Sequence, residues 1–341
     1  MTLIPTEYRI TEIRRLVDPA LHEVLDRLDA GTRLTCGYHL GFWDSEGHFP
    51  AEQNLNGKGL RPTLAVLSAL AADAPAAAGV PAALACELVH NFSLLHDDVI
   101  DGDTERRHRP TVWARFGISA AILAGDALLS LANEVLGEAR SEHVPDAVRR
   151  LGATVRQLIA GQTADVAFEK RDDVTLEECM SMAADKTAAL LACSTSLGAV
   201  LAGAPPTLVR GLAEFGNHVG MAFQLTDDLL GIWGDPVLTG KPVLSDLRAC
   251  KKTVPVVAAL TSSTAAAAEL RDLYNRPDPL DEGELIRAAV LVDEAGGRAW
   301  TEEEADRQLA AGVRALDPLE LPEEIRDDLA RIARRLRGRD R

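Results

Sequence analysis

The sequence predicts an all-α fold, and three observations carry that reading. Hydrophobic residues fill 47% of the 341 positions while aromatic residues fill only 4%, helix formers dominate, and apolar residues recur at three- and four-residue intervals in segments such as Leu84–Ile100 and Ala120–Leu136, with hardly any alternating run. A chain so long and so apolar builds a large core, which excludes disorder. Turn signals at Asn56-Gly57, Gly79-Val80-Pro81, Arg109-Pro110, Ala204-Pro205-Pro206, Gly234-Asp235-Pro236 and Pro277-Asp278-Pro279 divide it into helices of roughly two to six turns. Residues 40–56, with Phe42, Trp43 and Phe49 among polar neighbours, read as a loop. The uncharged stretch Thr187–Val209 is rich in Ala, Ser, Thr and Gly and contains Pro205 and Pro206, so it reads as a packed core helix with a turn after it and not as a membrane span. The arginine-dense tail from Leu329 reads as a solvated helix face. No linker separates two halves, so one domain over 1–341 is expected, its motif-bearing core at about 57–255.

Charge and cysteine usage narrow the function. Against 36 basic residues stand 52 acidic ones, a net charge of −16 that repels a phosphate backbone and argues against nucleic-acid binding. An anionic substrate must then be held by local cations or metal ions. Cys36, Cys86, Cys179, Cys193 and Cys250 are scattered, odd in number and never in a CxxC pair, which predicts buried free thiols. The first fifteen residues lack the apolar stretch of a secretory signal, so a cytoplasmic protein without a transmembrane segment is expected.

The chemistry concentrates in two acidic motifs. In His96-Asp97-Asp98-Val99-Ile100-Asp101, helical spacing puts Asp97 and Asp101 on one face one turn apart, with His90 further down the same side. Two carboxylates so placed repel unless they share a hard cation, and oxygen ligands that leave room for water and phosphate suit Mg²⁺. Alone, the pair reads better as a solvated helix end. A second pair, Asp227-Asp228, interrupts another apolar helix in Phe223–Gly231. Two such helices facing each other across a bundle would give a cavity with acid at its mouth and hydrocarbon in its depth, suited to a diphosphate with an apolar tail. Cations accompany both motifs: Lys58 and Arg61 in Gly57–Pro62, Arg106-Arg107 directly after the first, Lys186-Thr187, and Gly240-Lys241 with Lys251-Lys252 after the second.

Taken in order, GKGLRP (57–62), HNFSLLHDDVID (90–101), RR (106–107), GQTAD (161–165), KT (186–187), FQLTDD (223–228) and GK (240–241) resemble the trans-isoprenyl diphosphate synthases, the polyprenyl synthetase family. The resemblance implies an isoprenoid-synthase-type bundle of antiparallel helices around a deep central cavity, usually a homodimer. It further implies that Asp97, Asp101 and Asp227 hold Mg²⁺ with Asp98 and Asp228 in support. Arg106, Lys186, Lys241 and Lys251 would bind an allylic diphosphate (dimethylallyl, geranyl or farnesyl), and Lys58, Arg61, His90 and Arg107 would bind isopentenyl diphosphate. Thr187 and Gln224 would face the allylic cation, which the isopentenyl double bond attacks; no side-chain base is expected.

Two departures stand out. Gly231 replaces the last aspartate of the second DDxxD, and Cys250 stands where a glycine is common, which weakens Lys251 relative to Lys252. Phe92 and Ser93, five and four residues before Asp97, mark the chain-length positions. An aromatic there and the absence of an insertion between Asp98 and Asp101 resemble geranylgeranyl diphosphate synthases most, with farnesyl diphosphate as the nearest alternative product. A class I terpene cyclase would share the first motif without needing the second-diphosphate residues, and a non-catalytic regulatory subunit would have lost its acidic motifs.

Overall fold

The computed structural model describes residues 6–49, 59–235, 244–276 and 278–337. Contacts divide the chain into two compact units. The first comprises Met1–Ala153, Cys193–Ala213 and Pro318–Leu329, and the second Thr154–Ala192, Glu214–Asp317 and Ala330–Arg341. Lys58, Lys241 and the turn signals at Asn56-Gly57, Pro236 and Pro277 lie outside the described residues.

In the first unit, α1 (Thr6–Leu25) buries Ile13, Val17, Leu21 and Val24 at four- and three-residue spacing. Its first turn is tied to a distant segment: Thr6 and Arg9 both bond the buried Asp328 at 2.5 Å, and Arg9 also reaches Glu324 at 2.8 Å. Asp29 caps α2 (Ala30–Leu40) by accepting from the Gly31 and Thr32 amides. Residues 41–49 form the expected loop, yet its Trp43 is buried and donates to Leu34 O at 2.8 Å. Next come α3 (Leu60–Leu70) and α4 (Val80–Asp101), the latter started by Pro81 and ended by Gly102 in the left-handed region. After α5 (Val112–Phe116), α6 (Ile118–Gly137) packs on α4 through Ala121, Ala124 and Leu128, leaving Ile118, Ile122 and Leu123 exposed.

One short hairpin modifies the all-helical expectation. Glu105–Arg106 pairs antiparallel with Arg109–Pro110, and the two residues between them, Arg107 (φ 53°) and His108 (φ 60°), are both left-handed. That geometry closes a two-residue hairpin but favours Asn and Gly, so no local propensity announces it here.

The helix α7 (Val144–Phe168) is followed by α8 (Leu176–Ala183), capped reciprocally by Thr175 and Glu178. A single π-helical turn at Ala184–Ala188 joins α8 to α9 (Ala189–Leu201), which is buried almost throughout and ends before Pro205, as expected of a core helix. The long α10 (Pro206–Trp233) carries the second acidic motif. Then come α11 (Ser245–Arg248), α12 (Val254–Leu260), α13 (Ala265–Tyr274), α14 (Glu282–Glu294), α15 (Gly297–Ala315) and α16 (Glu323–Arg337). In the second unit Leu247, Val256, Leu270, Leu285, Leu291 and Val292 form one core group, and Phe168, Cys179, Leu225, Val254 and Val257 another. On α16, Ile325, Leu329, Ile332, Ala333 and Leu336 are buried while Arg331, Arg334 and Arg335 face outward. All five cysteines are free, four of them buried and Cys250 half-buried.

The helices spanning Ala76–Asp101 and Ile118–Gly137 have the length and apolar composition of a membrane span, but two-thirds (67%) of the apolar window of the first is buried in protein.

Cys250 adopts φ 49°, a conformation in which its Cβ crowds the backbone. Cys250→Gly should remove that strain and, after the greater unfolded-state entropy of glycine, gain about 0.5–1 kcal/mol. A thermal midpoint raised by about 2 °C would register the gain. A lowered midpoint would show that the Cys250 side chain contributes more than its strain costs.

Candidate active site

The first unit carries the first acidic motif. On α4, Asp97 and Asp101 are half-buried on one face, whereas Asp98 turns inward and is only 2% exposed. Arg106, delivered by the hairpin, donates from Nε to Asp98 Oδ1 at 2.7 Å, and its terminal nitrogen lies 2.6 Å from the same oxygen. Burial pushes the Asp98 carboxyl up, against the pull of Arg106. The same burial opposes charge on Arg106, but bonding to Asp98 outweighs it and holds the guanidinium protonated. Among the described residues no three His, Cys, Asp or Glu side chains converge as a ready-made metal cage. The donor set is carboxylate oxygen on one face, which fits Mg²⁺ completed by water and substrate phosphate.

Behind this face lies a polar group that spacing alone did not reveal. Glu87 and Asn91, one turn apart on α4, are linked by Asn91 Nδ2, which donates to Glu87 O at 2.8 Å and Glu87 Oε1 at 3.1 Å. Burial raises the Glu87 carboxyl, with Arg61 and Arg107 among the charges opposing the rise. Burial, reinforced by Arg61, Arg107 and Arg106, pushes His90 well below its usual value and keeps it neutral. His39 at the end of α2 is likewise lowered to about 3, by burial first and then by Arg107 and Arg106. Arg61, His90 and Arg107 therefore share one electrostatic neighbourhood, and His39, Glu87 and Asn91 join it.

The chain-length positions sit differently from one another. The Phe92 ring is buried edge-on against His96, 4.8 Å between centroids, and His96 Nε2 is 3.1 Å from Ile122 O, so this pair belongs to the α4 and α6 contact. Ser93 is buried and donates to His90 O at 2.8 Å.

In the second unit the π turn presents Lys186 and Thr187, a distortion that recurs at functional positions. Gly161 permits it: a Cβ there would lie 2.3 Å from the Lys186 backbone nitrogen. Lys186 Nζ pairs with Asp165 Oδ2 at 2.5 Å, which gives GQTAD a role beyond its glycine. Thr187 Oγ1 donates to Gln224 Oε1 at 2.5 Å, Gln224 Nε2 donates to Asp228 Oδ1 at 2.7 Å, and the Val254 amide donates to Asp228 Oδ2 at 3.0 Å. Asp228 is thus fully engaged and buried, and burial raises it to about 7, while its neighbour Asp227 is exposed.

The departures have local explanations. A Cβ on Gly231 would lie 2.1 Å from Asp246 Oδ2, so the space beside Gly231 is filled by a carboxylate from α11. Lys252 is 8% exposed with its ammonium 4.8 Å from the Tyr274 ring centre, whereas Lys251 is half-buried; the outer lysine is therefore Lys251. Cys250 holds the left-handed backbone that a glycine would adopt without strain.

Among the described residues, a mostly helical chain with aspartate-rich helices and cations paired beside them defines an enzyme of the isoprenoid-synthase class. The polyprenyl synthetase family model matches residues 48–291. The (2E,6E)-farnesyl diphosphate synthase of Mycobacterium tuberculosis (strain ATCC 25618 / H37Rv) is 47% identical over 322 residues, 93% of this chain and 89% of that protein. The geranylgeranyl diphosphate synthase of the same organism is 43% identical over 299 residues, covering 87% and 85%. The crystal structure of a polyprenyl synthetase from Streptomyces coelicolor A3(2) superposes with a TM-score of 0.91 at 46% identity, over 97% of this chain and 99% of that one. The chain belongs to the polyprenyl synthetase family and is a prenyltransferase, of a family that uses divalent metal ions.

The buried histidines set a pH dependence. Unfolded, His39 takes up a proton as the pH falls through 6.5; folded, it resists until about 3. Its contribution is therefore intact above pH 6.5 and is lost as the pH falls from there toward 3, by up to about 1.4 kcal/mol per pH unit. Unfolding of wild type and His39→Gln measured between pH 7 and 4 should converge along that slope, and parallel curves would show that the ring is open to protons in the folded state.

Proposed function

We propose that this prenyltransferase condenses isopentenyl diphosphate with an allylic diphosphate to give an all-trans product, geranylgeranyl diphosphate, in the cytoplasm and as a homodimer. The chain would work as a single functional domain. The observation that carries the reading is the α4 neighbourhood: Asp97 and Asp101 offer a carboxylate face, and Arg61, His90 and Arg107 gather beside Asp98 and Arg106 within the same unit. Metal ligands and a separate group of cations are what two diphosphates require. A terpene cyclase needs no second group, and a regulatory subunit needs neither.

In this reading Asp97, Asp101 and Asp227 hold Mg²⁺, with Asp98 and Asp228 in support, and Arg106, Lys186, Lys241 and Lys251 take the allylic diphosphate. When bound, Mg²⁺ draws negative charge from the leaving group and favours ionisation of the allylic C–O bond. Asp228, held by Val254 N and donated to by Gln224, fixes the amide so that its oxygen points to Thr187. Because the Thr187 hydroxyl spends its proton on that oxygen, its own lone pairs remain to face a cation. Lys58, Arg61, His90 and Arg107 orient isopentenyl diphosphate. A neutral His90 can donate one hydrogen bond to a phosphate oxygen without adding charge to a neighbourhood already rich in arginine. The exposed Ile118, Ile122 and Leu123 on α6 support the dimer, since a row of apolar side chains on one helix favours burial against a second copy.

Asp97→Ala should lower turnover about 10²–10³-fold with the helical spectrum retained, and Arg61→Ala should raise the KM for isopentenyl diphosphate roughly 10–100-fold. Undiminished turnover of Asp97→Ala, or of the unmodified protein in excess chelator, would remove the metal mechanism. A cyclic hydrocarbon made from one diphosphate would favour the cyclase.

Chain length rests on Ser93, small and one turn from Asp97, beside the ring of Phe92. Products from dimethylallyl, geranyl and farnesyl diphosphate should end at C20, and a C15 end point would give the farnesyl product. Phe92→Ala should extend the distribution by at least one five-carbon unit if the ring forms the floor, and it should lower stability by about 3–5 kcal/mol as a core truncation. An unchanged product would move the stop deeper along the bundle.

A further inference from the structure

Between the end of α2 and the hairpin, the first unit contains a cavity of about 30 Å³ whose walls include Tyr38, His39, Asp98, Arg106, Arg107 and Thr111. Two buried polar atoms of these residues have no protein partner, His39 Nε2 and Asp98 Oδ2. Their chemistry is the same. Asn91 gives its amide hydrogens to Glu87, so the oxygen of that amide is what remains for the His39 ring, and the contact favours a proton on the ring. With Nε2 unpartnered, the bonded nitrogen is Nδ1, which carries the hydrogen and leaves Nε2 a lone pair. Asp98 Oδ2 is also a lone-pair donor atom, on a carboxylate whose other oxygen is held by Arg106.

His39 and Asp98 line one small polar cavity and each carries a buried acceptor without a partner, a pair that a group with two donors between them would satisfy. Water is the smallest such group, and a water molecule needs about 10–15 Å³ of such space and two or more polar partners, both of which this cavity supplies.

We propose that an ordered water donates one hydrogen to His39 Nε2 and the other to Asp98 Oδ2, so that His39 is a positioning residue for the first acidic motif. The relay runs Glu87, Asn91, His39, water, Asp98, Arg106, and it holds the inward carboxylate between Asp97 and Asp101 at both of its oxygens. Only its consequence for turnover rests on the catalytic reading above.

Three measurements on the full chain test it. A crystal structure at better than about 1.8 Å should show a water within hydrogen-bond distance of both atoms, and a cavity without one overturns the proposal. Nitrogen-15 spectra of the His39 ring should give the Nδ1–H tautomer, and the opposite tautomer likewise overturns it. In kinetics, His39→Asn keeps a short amide near Asn91 but cannot reach the cavity, whereas His39→Gln places an amide near the position of Nε2. The Asn variant should lose about tenfold in kcat/KM for the allylic diphosphate, and Gln should restore it to within about threefold. Equal loss in both variants, or none in either, overturns the positioning role. Should the chain make no prenyl product at all, the catalytic reading falls while the water and the tautomer still decide this one.

Discussion

The ion pair between Asp98 and Arg106 is the interaction on which the first acidic motif depends. Three carboxylates within five residues of one helix destabilise its last turn by mutual repulsion if all face solvent, and by desolvation as well if all face the core. The sequence resolves this by turning one of them inward, where desolvation would be prohibitive without a cation at hydrogen-bond distance. Arg106 meets that requirement only because the chain reverses directly after Gly102 and Asp103. The left-handed pair Arg107-His108 then folds the hairpin back, with Tyr38 receiving Arg109 against its ring and donating to Pro110 O. Backbone strain at two consecutive non-glycine residues is thus located where it positions two arginines of opposite duty. One neutralises a buried carboxylate. The other faces the cation group around His90.

The second unit solves the same problem by different means. Asp228 is held by the Val254 and Gln224 amides instead of an arginine; burial raises its carboxyl to about 7, Asp246 and Asp227 add to the rise, and the two amide donors oppose it. What it gains is direction. A carboxylate with both oxygens engaged fixes the amide orientation of Gln224, and through it the hydroxyl rotor of Thr187. The π turn carries Thr187, and Gly220, where a Cβ would lie 2.5 Å from Ala188 Cα, lets α10 approach that turn closely enough for the relay to close.

Much of this was legible beforehand, and the remainder was hidden for physical reasons. Helical periodicity, proline and glycine punctuation and scattered cysteines located α4, α9 and α10, the turns between them and the free thiols, because these depend on near neighbours in sequence. Spacing put Asp97 and Asp101 on one face of α4, and only the second acidic pair and the accompanying cations argued for more than a solvated helix end. Which aspartate turns inward did not emerge, since an i, i+4 pattern says nothing of the residue between. His39, fifty-two residues before Asn91, and Asp246, fifteen after Gly231, are joined to their partners by tertiary packing. The hairpin escaped because Arg-His carries none of the turn chemistry of Asn-Gly, and the π turn because one extra residue in a helix leaves the apolar pattern almost unchanged.

In the proposed reading, a protein with a net charge of −16 that works on diphosphates must keep its cations from being neutralised at random. Two of them are neutralised by a specific acid, Arg106 by Asp98 and Lys186 by Asp165. Pairing orients a long side chain that would otherwise lose about 2 kcal/mol of rotamer entropy on binding. It also sets a threshold. A lone phosphate group must compete with a carboxylate already in contact, in a protein whose overall field repels it, whereas a metal-bound diphosphate arrives with much of its charge cancelled and several oxygens still to offer. The acidic surface and the paired cations therefore act in the same direction. In the proposed reading they discriminate against bare anions and leave the metal-charged diphosphate as the ligand whose binding does not have to overcome the charge of the whole protein.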